Sequence, residues 1–273
     1  MPGTAPVLLV QLTDMHVVEP EGEDERWVDN EARLREAVDA INAESPAVAA
    51  VLATGDLTNQ GRPGEYAVLA DVLDMLRVPL LPIPGNHDVR ALVRETFPQV
   101  PWADAEHASW ATVVGGVRVI GLDSTIPGEP GAEFDDARES WLRGRLETPF
   151  DGPTMLAVHH PPFVTGIEWM DRAGFVGLDR LRGLLADHPV NRVVCGHMHR
   201  PITSTIAGIP AQVGISTVQA VALDLSPDSR PAVIRDPSGY LIHRVDGEDI
   251  VTHTRYIATG HEPVVPRWVD ESA

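Results

Sequence analysis

The sequence predicts an α/β fold, because strand-like and helix-like stretches alternate as far as residue 100. Apolar runs of strand length, such as 6–14 and 47–56, are separated by stretches with apolar residues at helical spacing. This alternation is typical of βαβ units and of a largely parallel sheet. Beyond residue 200 the helical pattern is lost, which predicts a β-rich C-terminal part at about 201–260. Two stacked sheets with helices outside would accommodate both patterns.

The elements of the first part follow from periodicity and from a capping residue. The stretch 29–44 carries Leu34, Val38 and Ile41 at helical spacing. Asp29 precedes them and is a suitable N-cap, because its carboxylate can accept hydrogen bonds from the first turn. The other elements expected here are the strands 6–14, 47–56 and 78–88 and the helix 63–77.

The second part is expected to begin with a hairpin at 107–124, in which two apolar stretches meet at Gly115-Gly116. The chain as a whole is expected to form a single domain over 1–260, followed by a tail at 261–273. The later elements predicted are the helix 135–147, the strand 154–160, a helix near 177–187, the strand 190–195, and hairpins at 202–214 and 239–257.

Composition narrows the class of protein. The 21 basic and 40 acidic residues give a net charge of −19, which argues against a nucleic-acid polymer as partner. No stretch approaches the roughly 20 apolar residues of a membrane span, and the N-terminus does not resemble a signal peptide. Cys195 is the only cysteine, which excludes an internal disulfide and a thiolate metal cluster. A soluble, cytoplasmic protein without a membrane partner is therefore expected.

Metal-binding side chains follow five of the predicted strands, at the point where each strand ends. In open α/β sheets this edge is where ligands bind. Each group alone has an ordinary structural interpretation, as a turn, a helix cap or the close of a strand, but five such coincidences in one chain are hard to credit. The residues are Asp14 and His16, then Asp56, then Asn86, His87 and Asp88, then His159 and His160, and finally His197 and His199.

Carboxylate oxygens and imidazole nitrogens without sulfur suit Mn²⁺, Fe²⁺ or Fe³⁺, and Zn²⁺. The set offers too many donors for one tetrahedral site, but it matches two ions that share a ligand. Two ions about 3.5–4 Å apart need a bridging group, and a carboxylate can serve because it has two oxygens. The sequence therefore predicts a centre of two divalent metal ions.

The motifs DMH, GDLTNQG, GNHD, HHPP and GHMH resemble those of the calcineurin-like metallophosphoesterases in order and spacing, between residues 12 and 199. The residues of these motifs are most similar to those of the bacterial class III cyclic-nucleotide phosphodiesterases and their glycerophosphodiesterase relatives. One departure is Arg138, where many of these relatives have Gln. The resemblance implies a four-layer αββα sandwich, with a dimetal site at the apex of the two sheets.

The resemblance also implies a role for individual residues. His87 is the counterpart of a general acid that protonates the leaving group, although it could instead only orient phosphate or Asp14. Asp88 and His160 are expected to support the ligands, and Thr58, Asn59 and Arg200 are candidates for substrate contact. The implied ligands are Asp14, His16 and His199 for one metal and Asn86, His159 and His197 for the other, with Asp56 bridging both.

The leading functional hypothesis is hydrolysis of a small phosphodiester by water that the two metals activate, with 3′,5′-cyclic nucleotides such as cAMP as the first substrate to consider. A glycerophosphodiesterase or a broad-specificity phosphomonoesterase is the alternative within enzymes. A metal-binding scaffold without hydrolysis is the alternative from another class. A homodimer is a possible assembly, and Trp169 is a candidate for lining the substrate cleft.

Overall fold

Two β-sheets pack face to face at the centre of the molecule, and helices cover their outer faces. The computed structural model describes residues 5–19, 29–103 and 106–257. Side chains from both sheets meet in one buried cluster, where Leu9 and Val51 of the first sheet join Val119 and Met155 of the second. The expected α/β fold and its four-layer αββα arrangement are confirmed.

The strands and helices have the following bounds. The strands are β1 (Val7–Leu12), β2 (Ala50–Thr54), β3 (Leu80–Ile83), β4 (Trp110–Val114), β5 (Val117–Leu122), β6 (Thr125–Ile126), β7 (Glu129–Glu133), β8 (Thr154–Val158), β9 (Phe175–Val176), β10 (Arg192–Cys195), β11 (Ile202–Ile206), β12 (Ile209–Val213), β13 (Ala220–Val221), β14 (Val233–Ile234), β15 (Gly239–Asp246) and β16 (Asp249–Tyr256). The helices are α1 (Asn30–Asn42), α2 (Pro63–Leu73), α3 (Arg90–Thr96), α4 (Asp136–Glu147), α5 (Glu168–Asp171) and α6 (Leu178–Ala186).

The first sheet has the strand order β16-β15-β1-β2-β3. β1, β2 and β3 are parallel, so their carboxyl ends lie at one edge. α1 and α2 cover the outer face with residues such as Leu34 and Leu69, which are fully buried. The cap predicted for α1 is confirmed, because the Asp29 carboxylate accepts from the backbone N–H of Ala32 at 3.0 Å.

The second sheet has the order β11-β12-β10-β8-β5-β4, with parallel strands at its centre and antiparallel strands at both edges. The hairpin predicted at 107–124 is β4–β5. Its turn residues Gly115 and Gly116 have φ angles of 57° and 86°, the left-handed region that a tight two-residue turn requires. α4 and α6 pack on the outer face of this sheet through residues such as Leu142 and Leu184.

Four strands of the β-rich C-terminal part join the two sheets, whereas β13 and β14 pair only with each other. The hairpin β11–β12 extends the second sheet next to β10, whereas β15–β16 returns to the first sheet and pairs with β1.

The predicted tail at 261–273 lies outside the described residues. Five short strands (β6, β7, β9, β13 and β14) and the helices α3 and α5 were not predicted. Within the described ranges, no helix combines the length and apolar character needed to cross a membrane.

Candidate metal centre

The predicted ligands converge where the carboxyl ends of the two sheets meet. Asp14 and His159 are fully buried, although one follows β1 in the first sheet and the other follows β8 in the second. Backbone hydrogen bonds join the loops, since the Asp14 N–H donates to Gly55 O at 3.0 Å. The His197 N–H donates to the Asp14 carboxylate at 2.9 Å and so connects β10 to β1.

The backbone at this edge has an uncommon conformation. Left-handed φ angles are unfavourable for residues with a Cβ atom, and they cluster at functional sites when the surroundings enforce them. Among the described residues, Ala207 is the only other non-glycine residue with a positive φ. The five predicted ligands with positive φ are Asp14 (51°), His16 (42°), Asp56 (49°), His197 (71°) and His199 (56°).

Two glycines allow the loops to approach one another closely. A Cβ atom on Gly85 would overlap with the Asp56 carboxylate. A Cβ atom on Gly196 would overlap with the Thr13 hydroxyl and lie 2.8 Å from Thr54 O. Both positions therefore require glycine for the ligands to be packed as tightly as they are.

One group of donors comes from Asp14, His16, Asp56 and His199, with one donor atom of each within 4.8 Å of the others. The Nε2 atoms of His16 and His199 lie 3.0 Å apart. The Nδ1 atom of His199 donates to the Gln219 carbonyl at 2.9 Å, which leaves Nε2 as the ring nitrogen that faces His16. Burial, and then the charge that His199 carries when protonated, lower the pKa of His16 well below its usual value of 6.5.

The second group centres on His159. Its Nδ1 atom donates to the Thr54 carbonyl at 2.8 Å. Its Nε2 atom lies 3.2 Å from Asn86 Oδ1, and the ring of His197 lies 5.2 Å away between centroids. Metal-binding histidines almost always donate their second ring N–H to an oxygen in this way. His159 is thus oriented as a ligand of the predicted second metal.

Asp56 lies between the two groups. Its Oδ1 atom is 3.4 Å from His159 Nε2, and its Oδ2 atom is 3.5 Å from His16 Nε2. Burial raises the pKa of the Asp56 carboxyl, but the charges of His159 and His87 outweigh burial and hold it well below its usual value. Each oxygen of an ionised carboxylate therefore faces a different group of donors.

His160 lies beside the second group without belonging to the predicted ligands. Its ring centroid is 4.8 Å from that of His159 and 4.7 Å from that of His197. Its Nδ1 atom lies 2.8 Å from the Ser124 hydroxyl. Its Nε2 atom is buried and has no hydrogen-bond partner among the described residues. The supporting role expected for His160 remains a prediction.

His87 is exposed at the rim of the centre. Its Nδ1 atom donates to the Asn59 carbonyl at 2.7 Å, so Nε2 is the nitrogen left for a substrate. Its ring packs edge-on against His16 at 4.6 Å between centroids. Its backbone N–H donates to Asp56 Oδ1 at 3.0 Å, which joins its position to that of the central carboxylate.

A family profile described as calcineurin-like phosphoesterase matches residues 7–201, which contain all of these side chains. The chain belongs to the calcineurin-like phosphoesterase family. It is 31% identical to a probable glycerophosphodiester phosphodiesterase, GpdQ, of Arcobacter nitrofigilis over 94% of this chain and 96% of that protein. It is 34% identical to a probable cyclic nucleotide phosphodiesterase of Rhodopseudomonas palustris over 89% of this chain and 90% of that protein.

A solved structure shares the fold of this phosphoesterase. Purple acid phosphatase PPD1 from seeds of yellow lupin, Lupinus luteus, superposes with a TM-score of 0.68 at 13% identity. The match covers 94% of this chain but only 52% of the plant chain. At this level of identity the likeness concerns the fold alone.

Asp88 holds two loops of this phosphoesterase together. Burial and then the charge of Asp56 raise the pKa of Asp88 to about 6. Its donors come from the loops after β2 and β3 and from Tyr66 in α2, and the supporting role expected for Asp88 remains a prediction. The donors are Leu57 N (3.0 Å), Thr58 N (3.1 Å), Thr58 Oγ1 (3.1 Å), Tyr66 Oη (3.1 Å) and Gly85 N (2.8 Å).

The three candidates for substrate contact all make contacts within the protein. The Thr58 hydroxyl is buried and donates to Asp88. Asn59 accepts from His87 through its backbone and lies 3.3 Å from His16 Nδ1 through its side chain. Arg200 donates to the Val221 carbonyl at 2.5 Å. Their contact with substrate remains a prediction.

Some residues that position the ligands were not predicted. Thr54 and Gln219 orient His159 and His199 through their backbone carbonyls, so their side-chain types gave no signal. Tyr66 lies in α2, where helical periodicity alone does not indicate its hydrogen bond to Asp88. The departure at Arg138 has a structural explanation, because its buried guanidinium donates to the carbonyls of Asp123 and Thr125, both at 2.8 Å.

Proposed function

We propose that this phosphoesterase hydrolyses small phosphodiesters with two divalent metal ions. The observation that carries the proposal is the position of Asp56, whose two oxygens face His159 and His16 separately. One ion would be held by Asp14, His16 and His199, the other by Asn86, His159 and His197, with Asp56 shared between them.

The donor set fits such ions chemically. The first group places two imidazole Nε2 atoms 3.0 Å apart beside the carboxylates of Asp14 and Asp56, so that one cation could be bound by nitrogen and oxygen donors together. Nitrogen and oxygen donors without sulfur suit Mn²⁺, Fe²⁺ or Fe³⁺, and Zn²⁺. When bound, such ions supply positive charge for the phosphate and lower the pKa of a coordinated water.

His87 is the proposed general acid. Its Nδ1 atom is held by Asn59, so the protonated ring can present its Nε2–H to the leaving oxygen of the substrate. The hydrogen bond from its backbone to Asp56 sets the distance between this acid and the shared carboxylate. The proton given up by Nε2 would stay on the departing alcohol, leaving a neutral imidazole.

The proposed substrates are 3′,5′-cyclic nucleotides such as cAMP first, and glycerophosphodiesters second. The relative named as a probable cyclic nucleotide phosphodiesterase supports the first choice, and the one named as a probable glycerophosphodiester phosphodiesterase supports the second. Each matches most of this chain. A broad phosphomonoesterase is the third choice. A nucleic-acid polymer is not proposed, because the chain carries a net charge of −19.

The test is turnover of bis(4-nitrophenyl) phosphate and of 4-nitrophenyl phosphate by protein reconstituted with Mn²⁺, with chelated protein as the control. Metal-dependent cleavage that favours the diester supports the proposal, and cAMP and glycerophosphoethanolamine are then compared directly. A preference for the monoester would reassign the chain as a phosphatase. No turnover of either ester with two ions bound would indicate a metal-binding scaffold.

We also propose a cytoplasmic location and a homodimer. The single cysteine, Cys195, is buried, which suits a reducing compartment in which disulfides do not form. Light scattering of the purified protein measures the assembly, and a monomeric mass at micromolar concentration would refute the dimer.

A further inference from the structure

A cavity of about 170 Å³ lies beside the second group of donors, under the segment that carries α5 and β9. Most of its lining is apolar, including Phe163, Met170, Phe175 and Leu178. Val164 also lines it and is 79% exposed, so the cavity communicates with solvent on that side. An engineered apolar cavity of about 150 Å³ accepts benzene, so this space is large enough for one flat ring.

The cavity shares a wall with the candidate metal centre. His160 and His197 line it, and their ring centroids are 4.7 Å apart. The buried Nε2 atom of His160 has no hydrogen-bond partner among the described residues. A ligand that reached the second metal through its phosphate would therefore have a largely apolar space beside it, whose polar lining residues are His160, Thr165, Asp171 and His197.

The position of His87 decides which part of a diester could enter the cavity. His87 packs against His16, which belongs to the first group, whereas the cavity is bounded by His160 and His197 at the second. The alcohol that His87 protonates leaves on the first side. The cavity is thus on the side of the alcohol that stays bonded to phosphorus.

We propose that this cavity binds the organic group of the diester that stays bonded to phosphorus, and that it favours diesters in which this group carries a flat ring, as a cyclic nucleotide does and a glycerophosphodiester does not. The proposal rests on the proposed function, because it uses the ligand groups and the acid assigned there. A monoester has no retained organic group, so the cavity would also favour diesters over monoesters. Burial of a phenyl ring in such a space is expected to increase kcat/KM by about tenfold or more.

Three esters with the same leaving group test this assignment: phenyl 4-nitrophenyl phosphate, methyl 4-nitrophenyl phosphate and 4-nitrophenyl phosphate. Ala173→Leu and Leu178→Phe fill the cavity from two lining positions, one before α6 and one within it. Val176→Leu is the matched control, since this side chain is 62% exposed and does not line the cavity. All proteins are loaded with Mn²⁺ and their melting temperatures are compared, so that a misfolded variant is identified.

The expected result is a phenyl-to-methyl ratio of kcat/KM of about ten or more in the parent protein and the control. The ratio should fall several-fold in either filled variant, with the methyl ester and the monoester little changed. A parent ratio near one, or an unchanged ratio in a folded filled variant, would overturn the proposal.

Calorimetric binding of diphenyl phosphate and dimethyl phosphate repeats the comparison without turnover. If the parent protein cleaves no ester but prefers diphenyl phosphate, and the filled variants lose this preference, the proposed function is refuted and the cavity assignment is retained. Equal binding of both compounds by the parent protein would refute the cavity assignment, whatever the rates of hydrolysis.

Discussion

The Nε2 atoms of His16 and His199 lie 3.0 Å apart, although 183 positions of sequence separate the two residues. The Nδ1 atom of His16 faces the side-chain oxygen of Asn59, and the Nδ1 atom of His199 faces the backbone carbonyl of Gln219. With both Nδ1 atoms protonated, two lone pairs face each other, which a metal ion would stabilise. The contact between the loops that follow β1 and β10 is therefore expected to depend on metal.

Asp56→Asn is expected to remove the bridge between the two ions. An amide has one oxygen and no negative charge, so it cannot serve both groups of donors. Bound metal should fall from two ions per chain toward one, and diester turnover should fall at least about 100-fold. Elemental analysis and turnover measure these effects. Asp224→Asn, at an exposed surface position, is the control and should change neither the bound metal nor the turnover. An Asp56→Asn protein that binds both ions and keeps full activity would contradict the bridging role.

His87→Ala is expected to slow cleavage without loss of metal, because its imidazole is not among the proposed ligands. The reduction in kcat should reach about 10²–10⁴ for a diester with an alkoxide leaving group. It should be much smaller for a nitrophenolate, which needs no proton to leave. The comparison of these two leaving groups is the measurement, with exposed His253→Ala as the control. An equal loss for both leaving groups would assign His87 to phosphate orientation instead.

Gly196→Ala is expected to separate the two sheets at the site. The added Cβ would lie 2.8 Å from Thr54 O and 3.0 Å from Asp14 Oδ2, so the loops after β10 and β1 must shift. The free energy of unfolding should fall by about 1–3 kcal/mol, and metal affinity should fall with it. Gly144→Ala in α4 is the control, since nothing lies within 4 Å of its new Cβ. That variant should gain about 0.5–1 kcal/mol.

His243 makes the fold sensitive to acid at a distance from the metal centre. Burial and then the charge of Arg192 lower the pKa of His243 from 6.5 to about 3. The unfolded chain therefore binds a proton that the folded chain rejects, and this contribution to stability is complete above pH 6.5 and is lost as the pH falls toward 3. The cost is about 1.4 kcal/mol per pH unit in that window.

The variant His243→Gln tests this because its side chain does not titrate but can still pair with Gln11 and Thr252, the present partners of the ring. Urea unfolding of chelated protein at pH 7.5 and 5.5 measures the change. The parent should lose about 1 kcal/mol more than the variant on acidification, and exposed His253→Gln should behave like the parent. Equal losses in the parent and in His243→Gln would contradict the prediction.

Much of the fold was predictable because its signals are local. The hairpin at Gly115-Gly116 and the helix capped by Asp29 each depend on a few neighbouring residues, and both are confirmed. Elements without such signals were missed. α3 has a single buried residue, Val93, and strands such as β6 and β13 are two residues long, so neither hydrophobic periodicity nor length distinguishes them from loops.

The candidate site was predictable for a different reason. Parallel strands bring their carboxyl ends to one edge, so side chains that follow several strands must converge there. Asp14, Asp56 and His159 are predictable in this way, because they follow β1, β2 and β8. The carbonyls of Thr54 and Gln219 are not predictable, because a backbone oxygen is present at every position and only the folded chain determines which of them a histidine contacts.

We propose that the site holds two ions, joined by Asp56. The most direct test is to titrate chelated protein with Mn²⁺ and to measure bound metal and diester turnover in the same samples. We expect saturation at two ions per chain, with turnover rising as the second ion binds. Saturation at one ion, or full turnover before the second is bound, would contradict the proposal.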